Sequence, residues 1–311
     1  MTIRIAVLGA GTMGRSIAQL FAVHGIHVAL FDPDLHALGI ARRIISGNIE
    51  QMLGEGDRSP FLLDAEDRLA YSSDLAKSVE SADWIMETAP EDIVVKRELY
   101  LQLAPLLRDH AAVASNTSTI PLATLAEGLP FADRIVIAHF FNPASLVPLV
   151  EIVRLPTTCA GIVAELTELL KACGKVPVLL KKDVPGFIAN RLQAALMREA
   201  CRLLQDGVAD EEQIDLAVRE GIGFRWALAG PFEVADYGGL DVWEKVTGHL
   251  FPELDVSQTV PVPIRDKVRD GQLGVKSGRG FYQHHISDSG ESQARERDRM
   301  LLRLLRAKCS D

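Results

Sequence analysis

The chain has 311 residues, 48% of them apolar, and a formal net charge of −9 at pH 7. This length accommodates one large or two ordinary domains of about 100–200 residues each. The negative charge argues against a nucleic-acid-binding surface or a basic membrane patch, and no apolar run approaches the roughly 20 residues of a membrane-spanning helix.

The first half of the chain alternates short apolar runs with helical segments. Strands are predicted for "IRIAVLG", "HVALFD", "WIMETAP", "AAVASNT", "RIVIAHF", "PLVEIV" and "KVPVLL". Helices are predicted after the first strand, over a long polar stretch after the second, and over residues 94–107 and 158–173. Strands that are apolar on both faces and alternate with helices are typical of an α/β fold with a mostly parallel sheet between helical layers.

The second half of the chain predicts helices. "FIANRLQAALMREACRLLQDG" predicts one long helix that ends at Gly207. Asp210 is placed to cap "EEQIDLAVREG", and "PFEVADYGGLDVWEKVTGHLF" and "VPIRDKVRDG" have helical patterns. We place a domain boundary near Asp183–Pro185, so that residues 1–183 form the first domain and residues 184–285 a helical second domain. Residues 286–311 are predicted to be a tail, first polar and then an amphipathic helix.

Four cysteines are scattered along the chain without a CxxC pair: Cys159, Cys173, Cys201 and Cys309. This distribution favours free thiols in a reducing compartment over a disulfide framework or a zinc site. The N-terminal "MTIRIAVLGAG" lacks the charged segment and cleavage site of a signal peptide. We therefore expect a cytoplasmic protein without a bound metal.

A glycine-rich loop follows the first predicted strand and opens a helix. In "VLGAGTMGRSIA", Gly9 and Gly11 permit a tight turn and a close approach to a pyrophosphate, and Gly14 lets helix and strand pack closely. Asp32 ends the second strand, where a carboxylate binds both ribose hydroxyls and repels a 2′-phosphate. The loop, with Thr12 and Met13, therefore predicts a Rossmann-like domain that binds NAD rather than NADP.

A charged residue lies inside one of the apolar strands. Glu151 interrupts "PLVEIV", and an unpaired buried charge is costly. Two partners are possible: Arg154, just beyond the strand, or His139, twelve residues earlier in "HFFNPASLVPLVEI". The turn formers of "NPAS" would allow the chain to reverse between His139 and Glu151.

Three ordered motifs, the glycine loop and a closing "KSGRGFY" carry a family resemblance. Through "ASNTSTI", "HFFNPASLVPLVEI" and "DVPGFIANRL", the sequence resembles the L-3-hydroxyacyl-CoA dehydrogenase family over about residues 3–283. The resemblance implies an NAD-binding Rossmann-like domain joined to a helical domain for substrate and dimerisation. It also implies a homodimer that interconverts 3-hydroxyacyl-CoA and 3-ketoacyl-CoA, as in fatty acid metabolism.

The resemblance also assigns roles to individual residues. His139 matches the catalytic base, and Glu151 matches the carboxylate that orients it. Ser118 and Asn190 match residues that orient the substrate oxygen. The positions that match the cofactor side of the site are Glu91, Lys96, Asn116 and Asn142.

The chemistry of these side chains is consistent with those roles. A carboxylate bound to one imidazole nitrogen leaves the other free to take a hydroxyl proton, and it stabilises the imidazolium that forms. Other roles stay open, because a histidine beside a strand is often structural and Glu151 could pair with Arg154. Ser118 and Asn190 could be ordinary loop or capping residues.

Two features depart from the acyl-CoA pattern. CoA-binding members commonly carry a lysine-rich helical hairpin after the second strand, but residues 36–75 contain no lysine. Arginines could replace the lysines as phosphate ligands or could be a solvated face: Arg42, Arg43, Arg58 and Arg68.

The second departure is the long segment "EGIGFRWALAGPFE". It resembles the gulonate dehydrogenase/lambda-crystallin and carnitine dehydrogenase branches and a pyridine-alcohol dehydrogenase of vitamin B6 breakdown. Arg225 could bind a substrate carboxylate and Trp226 could wall the pocket, or both could pack in the helical domain. We expect an acyl-CoA substrate, with a small non-CoA hydroxy carboxylate as the alternative. A lysine-dependent β-hydroxyacid dehydrogenase and a non-enzymatic crystallin-like protein are rival classes.

Overall fold

A computed structural model describes residues 3–54, 59–284 and 290–308. The chain divides into two compact units, one formed by residues 1–188 and 297–311 and the other by residues 189–296. Within the described residues, no helix is both long and apolar enough to cross a membrane.

One sheet of eight strands forms the centre of the first unit. Its strands, in chain order, are β1 Arg4–Leu8, β2 His27–Phe31, β3 Leu69–Ser72, β4 Trp84–Glu87, β5 Ala112–Ser115, β6 Ile135–Phe140, β7 Leu149–Val153 and β8 Val176–Leu179. The spatial order is β3-β2-β1-β4-β5-β6-β7-β8, and every neighbouring pair is parallel except β6 and β7. The first six strands therefore have the order of a dinucleotide-binding fold, in which the sequence of strands across the sheet changes direction between the parallel neighbours β1 and β4.

Both faces of the sheet are buried. Consecutive side chains of each strand point to opposite faces, so one strand can contribute to two core clusters. In β1, Ile5 and Val7 belong to one core cluster, and Ala6 and Leu8 belong to the other. This explains why the strands are continuous apolar runs rather than alternating ones.

The helices of the first unit lie between its strands along the chain. They are α1 Thr12–Val23, α2 Leu35–Gly54, α3 Leu75–Val79, α4 Ile93–Leu103, α5 Leu122–Ala126 and α6 Ala160–Ala172. The long polar stretch predicted to be helical after the second strand contains α2, as predicted, and also the strand β3, which the sequence did not predict. The helix predicted over residues 94–107 ends earlier, and a short 3₁₀ turn containing Pro105 follows it.

The second unit is helical. Its helices are α7 Ala189–Gln205, α8 Glu211–Ala217, α9 Gly223–Trp226, α10 Pro231–Gly238, α11 Leu240–Leu250 and α12 Val262–Arg269. Asp210 caps α8 as predicted, because its carboxylate accepts a hydrogen bond from the Gln213 N–H at 2.9 Å. A single π-helical turn, Val218–Ile222, joins α8 to α9. The segment predicted as one helical stretch is broken at Gly239, whose φ of 86° lies in the left-handed region.

The final helix, α13 Gly290–Lys308, falls within the predicted C-terminal tail. Residues 286–289 and 309–311 of that tail lie outside the described residues. The mostly parallel sheet and the helical second unit confirm the predicted fold class.

Candidate active site

The predicted site residues of the first unit lie where the parallel strands end. Gly9 follows β1, Asp32 follows β2, and Asn116 follows β5. Because parallel strands present their carboxyl ends at one edge of a sheet, these loops meet at the edge where open α/β sheets bind ligands.

The three glycines of the loop have different surroundings. Gly9 has a φ of 109°, and a Cβ there would lie 2.8 Å from the Thr88 carbonyl oxygen. A Cβ on Gly14 would lie 1.8 Å from the Gly9 carbonyl oxygen. Gly11 has an ordinary φ of −65°, and a Cβ on it would meet no atom within 4 Å. The fold itself thus leaves the face of Gly11 open, as the close approach of a pyrophosphate needs.

Asp32 is held in place by the loop that it faces. Its Oδ2 accepts from the Ala10 N–H at 2.8 Å, and its Oδ1 accepts from the Asp34 N–H at 2.9 Å. An ionised carboxylate has about four acceptor positions, so oxygens held in this way can still accept from ribose hydroxyls. Thr12 is exposed and Met13 half-buried in the first turn of α1, and no side chain caps that helix.

His139 and Glu151 form a direct cross-strand pair. They are opposite each other in the antiparallel β6–β7 ladder, and His139 Nδ1 lies 2.9 Å from Glu151 Oε2. Only 7% of the histidine side chain and 1% of the glutamate side chain is exposed. The second oxygen, Oε1, accepts from the Ile188 N–H at 2.9 Å. Because a carboxylate can only accept, the pair places the imidazole proton on Nδ1 and leaves Nε2 as the free nitrogen.

Two aromatic rings border the imidazole of His139. The Phe141 ring centroid lies 4.5 Å from the imidazole centroid, and the Phe187 centroid lies 5.3 Å from it. Arg154, the alternative partner of Glu151 in the sequence, is exposed. The partners of the carboxylate are His139 and the backbone N–H of Ile188.

Glu91 accepts several hydrogen bonds from the turn that follows β5. Its Oε1 accepts from the Thr117 hydroxyl at 2.7 Å, from the Ser118 N–H at 2.8 Å and from the Thr119 N–H at 2.9 Å. The Ser118 hydroxyl is 3.3 Å from the same oxygen. Although burial opposes ionisation, the hydrogen bonds from Thr117, Ser118 and Thr119 and the charge of Lys96 lower the pKa of Glu91 to about 2.

Lys96 lies beneath this turn. Its side chain is 1% exposed, and its Nζ is 2.7 Å from Glu87 Oε1 and 3.6 Å from Glu91 Oε2. Glu87 is completely buried at the end of β4, and its other oxygen accepts from the hydroxyls of Tyr100 and Ser115, each at 2.6 Å. Lys96 is therefore an internal ion-pair partner of Glu87 and Glu91.

The remaining predicted site residues are three asparagines and an arginine, which lie in both units. Asn116 Oδ1 accepts from the Phe140 N–H at 2.9 Å and so joins the ends of β5 and β6. Asn142 is exposed just beyond β6. In the helical unit, Asn190 lies in the first turn of α7 and Arg225 is exposed in α9. Neither side chain makes a hydrogen bond or ion pair within the described part of the chain.

Two family models match consecutive parts of the chain. The 3-hydroxyacyl-CoA dehydrogenase NAD binding domain matches residues 4–184, and the 3-hydroxyacyl-CoA dehydrogenase C-terminal domain matches residues 186–284. The chain belongs to the 3-hydroxyacyl-CoA dehydrogenase family. It is an NAD-dependent oxidoreductase, so the resemblance drawn from the motifs and the predicted cofactor are confirmed.

Individual relatives represent two branches of this family. The 5-formyl-3-hydroxy-2-methylpyridine 4-carboxylate 5-dehydrogenase of Mesorhizobium japonicum is 33% identical over 302 residues, 97% of either chain. The mitochondrial hydroxyacyl-coenzyme A dehydrogenase of Homo sapiens is 35% identical over 291 residues, 90% of either chain. A solved structure of the pyridine enzyme, described as an NAD+ dependent dismutase, superposes with a TM-score of 0.90 and 32% identity over 99% of this chain and 98% of that chain.

The sequence interpretation missed some parts of the site. It did not single out Glu87, although that residue also places a carboxylate at the end of an apolar run. It gave no role to Phe187 or Ile188. Among the described residues there is no group of three or more His, Cys, Asp or Glu side chains that could hold a metal. Cys159, Cys173 and Cys201 are free thiols, and Cys309 lies outside the described residues.

Substitutions at two loop glycines should separate folding from cofactor binding. Gly14→Ala places a methyl group on the Gly9 carbonyl, so we expect a clearly lower melting temperature. Gly11→Ala adds a methyl group that meets no atom of the chain, so we expect a nearly unchanged melting temperature and weaker NAD binding. Thermal unfolding with and without NAD, together with a titration of NADH fluorescence, measures both effects. Undiminished NAD affinity in Gly11→Ala would contradict the assignment.

The low pKa of Glu91 predicts a pH-dependent contribution to stability. The folded-state pKa of about 2 lies below the ordinary 4.5, so the contribution is complete above about pH 5 and is lost as the pH falls towards 2. Urea unfolding of the native chain and of Glu91→Gln should therefore differ most near neutral pH, with the native chain more stable. The exposed Glu98→Gln, on α4, is the control and should show no such trend. An equal difference between the native chain and Glu91→Gln at pH 3 and pH 7 would refute the prediction.

Proposed function

We propose that the chain oxidises the hydroxyl group of a small carboxylate that is not attached to CoA, or catalyses the reverse reduction, with His139 as general base. The observation that carries the reaction type is the pair of His139 Nδ1 and Glu151 Oε2 at 2.9 Å. A base oriented by a buried carboxylate is what the removal of a hydroxyl proton requires.

The proton moves between the substrate hydroxyl and His139. Nε2 takes the proton as the substrate is oxidised, and Glu151 stabilises the positive charge that develops on the imidazole ring. Bound NAD supplies the acceptor for the hydride that leaves the hydroxyl-bearing carbon. In the reverse direction the imidazolium returns its proton to the carbonyl oxygen.

The substrate oxygen is proposed to be oriented by Ser118 and Asn190. Glu91 holds the turn that carries Ser118 through several hydrogen bonds, so the position of the Ser118 backbone is fixed. The Asn190 side chain makes no hydrogen bond within the described part of the chain, which leaves its amide available to a ligand.

Cofactor binding is proposed to involve the loops at the sheet edge. Asp32 binds the adenosine ribose, and the open face of Gly11 accommodates the pyrophosphate. Asn142 and Glu91 serve the nicotinamide side, with Lys96 acting through Glu91. The other residues proposed to shape the cofactor site are Gly9, Thr12, Met13, Gly14 and Asn116.

The arginines favour a small carboxylate over CoA. In the segment without lysine, Arg68 is engaged by the Phe61 carbonyl at 2.9 Å and by Asp64, and Arg42 lies over the Tyr71 ring at 5.7 Å. Arg43 is exposed, and Arg58 lies outside the described residues.

Arg225, by contrast, forms no ion pair within the described part of the chain, and a free guanidinium suits a carboxylate. The nearly full-length match to a pyridine carboxylate dehydrogenase supports the same class.

A 3-hydroxyacyl-CoA is the second candidate substrate. The names of both matching family models, together with a relative that is 35% identical, favour it. This candidate assigns Arg42 and Arg43 to the CoA phosphates and places the reaction in fatty acid metabolism.

We also propose that the chain is a cytoplasmic homodimer formed through the helical unit. Large apolar side chains are exposed there, with 66% of Phe224, 86% of Phe232 and 83% of Tyr237 accessible. An apolar cavity of about 330 Å³, bordered by Leu196, Ile214 and their neighbours, lies between α7 and α8. Apolar surface of this extent is typical of a protein interface, so residues 184–285 are proposed to serve in dimerisation as well as in substrate binding.

Substitution of the proposed dyad should abolish most turnover. His139→Gln should lower kcat by about 10²–10⁴-fold, the usual contribution of general acid–base catalysis, while NAD still binds. Glu151→Gln should also lower kcat, because the imidazole loses its orienting charge. The exposed His110→Gln is the control and should remain active. Steady-state NADH formation measures all three, and full activity of His139→Gln would exclude it as the base.

Two arginine variants distinguish the substrate classes. Arg225→Ala should lower kcat/KM for a small hydroxy carboxylate by about tenfold to a hundredfold, the worth of a hydrogen bond to a charged group. Arg43→Glu should leave that value unchanged. The exposed Arg219→Ala, in the same helical unit, is the control. The panel comprises acetoacetyl-CoA, carnitine, gulonate and pyridine alcohols. Efficient use of acetoacetyl-CoA with a KM raised by Arg43→Glu would instead favour the CoA candidate.

A further inference from the structure

A sharp turn follows β8 and ends beside the dyad. The Phe187 N–H donates to the Val184 carbonyl oxygen at 3.0 Å, and Pro185 and Gly186 occupy the two central positions. Gly186 has a φ of 77°, as position i+2 of a type II turn requires. Asp183, just before the turn, accepts from the Leu122 N–H at 2.8 Å and so fixes the segment to α5.

Phe187 itself has an unusual backbone conformation. Its φ is 51°, and it is the non-glycine residue with a positive φ among the described residues. Glycine would adopt this conformation without a steric cost, and a bulky residue at such a φ is an outlier that persists only where its surroundings hold it. The presence of phenylalanine at a position that suits glycine indicates that the ring itself is needed.

The ring and the backbone of this residue reach the two members of the dyad separately. The ring is 2% exposed, and its centroid lies 5.3 Å from that of His139. The left-handed turn directs the next N–H, that of Ile188, to Glu151 Oε1 at 2.9 Å. Phe187 therefore contacts the imidazole through its ring, and its backbone conformation sets the direction of the N–H that donates to the carboxylate.

We propose that Phe187 is a positioning residue that holds His139 and Glu151 in their reactive arrangement, an inference that rests on the proposed function of the dyad. The Ile188 N–H restrains rotation of the Glu151 carboxylate, so that Oε2 continues to face Nδ1. The rings of Phe187 and Phe141 restrict rotation of the imidazole about its bond to Cβ. With both restraints, Nε2 keeps one direction towards the substrate hydroxyl.

The alternative explanation is that Phe187 only fills the core. It belongs to a cluster of buried apolar side chains that also includes Phe131. Phe131 is 1% exposed and packs edge-on against Tyr100 rather than against the dyad. The two phenylalanines thus have the same burial in the same cluster, and only one of them borders His139, so Phe131→Leu is a matched control for Phe187→Leu.

The experiment compares these two variants with the native chain in full length. Melting temperature reports packing, NADH fluorescence titration reports cofactor affinity, and steady-state kinetics report kcat and KM separately. A fourth readout needs no turnover: the downfield proton resonance of His139 Nδ1–H, assigned by its absence in His139→Gln and its change in Glu151→Gln. Phe187→Met, which keeps a flexible apolar side chain, replaces Phe187→Leu if the latter does not fold.

We expect both leucine variants to lose a similar amount of thermal stability. Phe187→Leu should in addition lower kcat by about tenfold to a hundredfold, as small misplacements of catalytic groups do, with KM and NAD affinity nearly unchanged. Its Nδ1–H signal should broaden or disappear, whereas Phe131→Leu should keep both the signal and kcat.

An unchanged Nδ1–H signal and an unchanged kcat in Phe187→Leu would overturn the proposal and leave Phe187 as a core residue. Equal loss of kcat in Phe131→Leu would also overturn it. If the native chain and Phe187→Leu differ in the Nδ1–H signal while His139→Gln retains full turnover, the positioning role stands and the proposed function of the dyad fails.

Discussion

The buried negative charge of Glu151 is the constraint around which the site is organised. Transfer of a carboxylate from water to a protein interior costs several kcal/mol unless partners replace the lost hydration. Here both oxygens have a donor: an imidazole N–H from the adjacent strand and a backbone N–H from the turn after β8. The same contacts that make the charge tolerable also fix the orientation of His139, so the electrostatic requirement of folding and the geometric requirement of the proposed chemistry are met by one set of hydrogen bonds.

The same principle recurs at the neighbouring strand ends. Glu87 is buried beneath Lys96, and Glu91 receives hydroxyl and backbone donors from the turn after β5. Breaking such a buried ion pair by removing one partner typically costs about 3–5 kcal/mol. The loops that carry the proposed cofactor and substrate contacts are thus held by the buried carboxylate of Glu87 and the partly exposed carboxylate of Glu91, which explains how short turns at a sheet edge keep a defined shape.

Much of the fold could be predicted because buried parallel strands are continuous apolar runs and because the glycine loop has a specific context. Strand β3 could not, because its residues Leu69–Ser72 do not form a continuous apolar run and lie within a polar stretch. Glu151 was noticed because a charge in an apolar run demands a partner. Glu87 carried the same signal at the end of its strand and was passed over. Phe187 gave no local signal, since a positive φ at a non-glycine residue is imposed by tertiary contacts rather than by sequence preference.

The position of the dyad within the β6–β7 ladder has a consequence for how the family diversifies. All the residues proposed to act in proton transfer, except Asn190, belong to the sheet-containing unit. The register of β6 and β7 sets the geometry of the His139–Glu151 pair. The helical unit can therefore change in sequence without altering the strand register that sets the acid–base pair. Selection can act on substrate preference and on chemistry as nearly independent traits. Exchange of helical units between relatives offers a route to new dehydrogenases in which the same reaction is applied to different molecules.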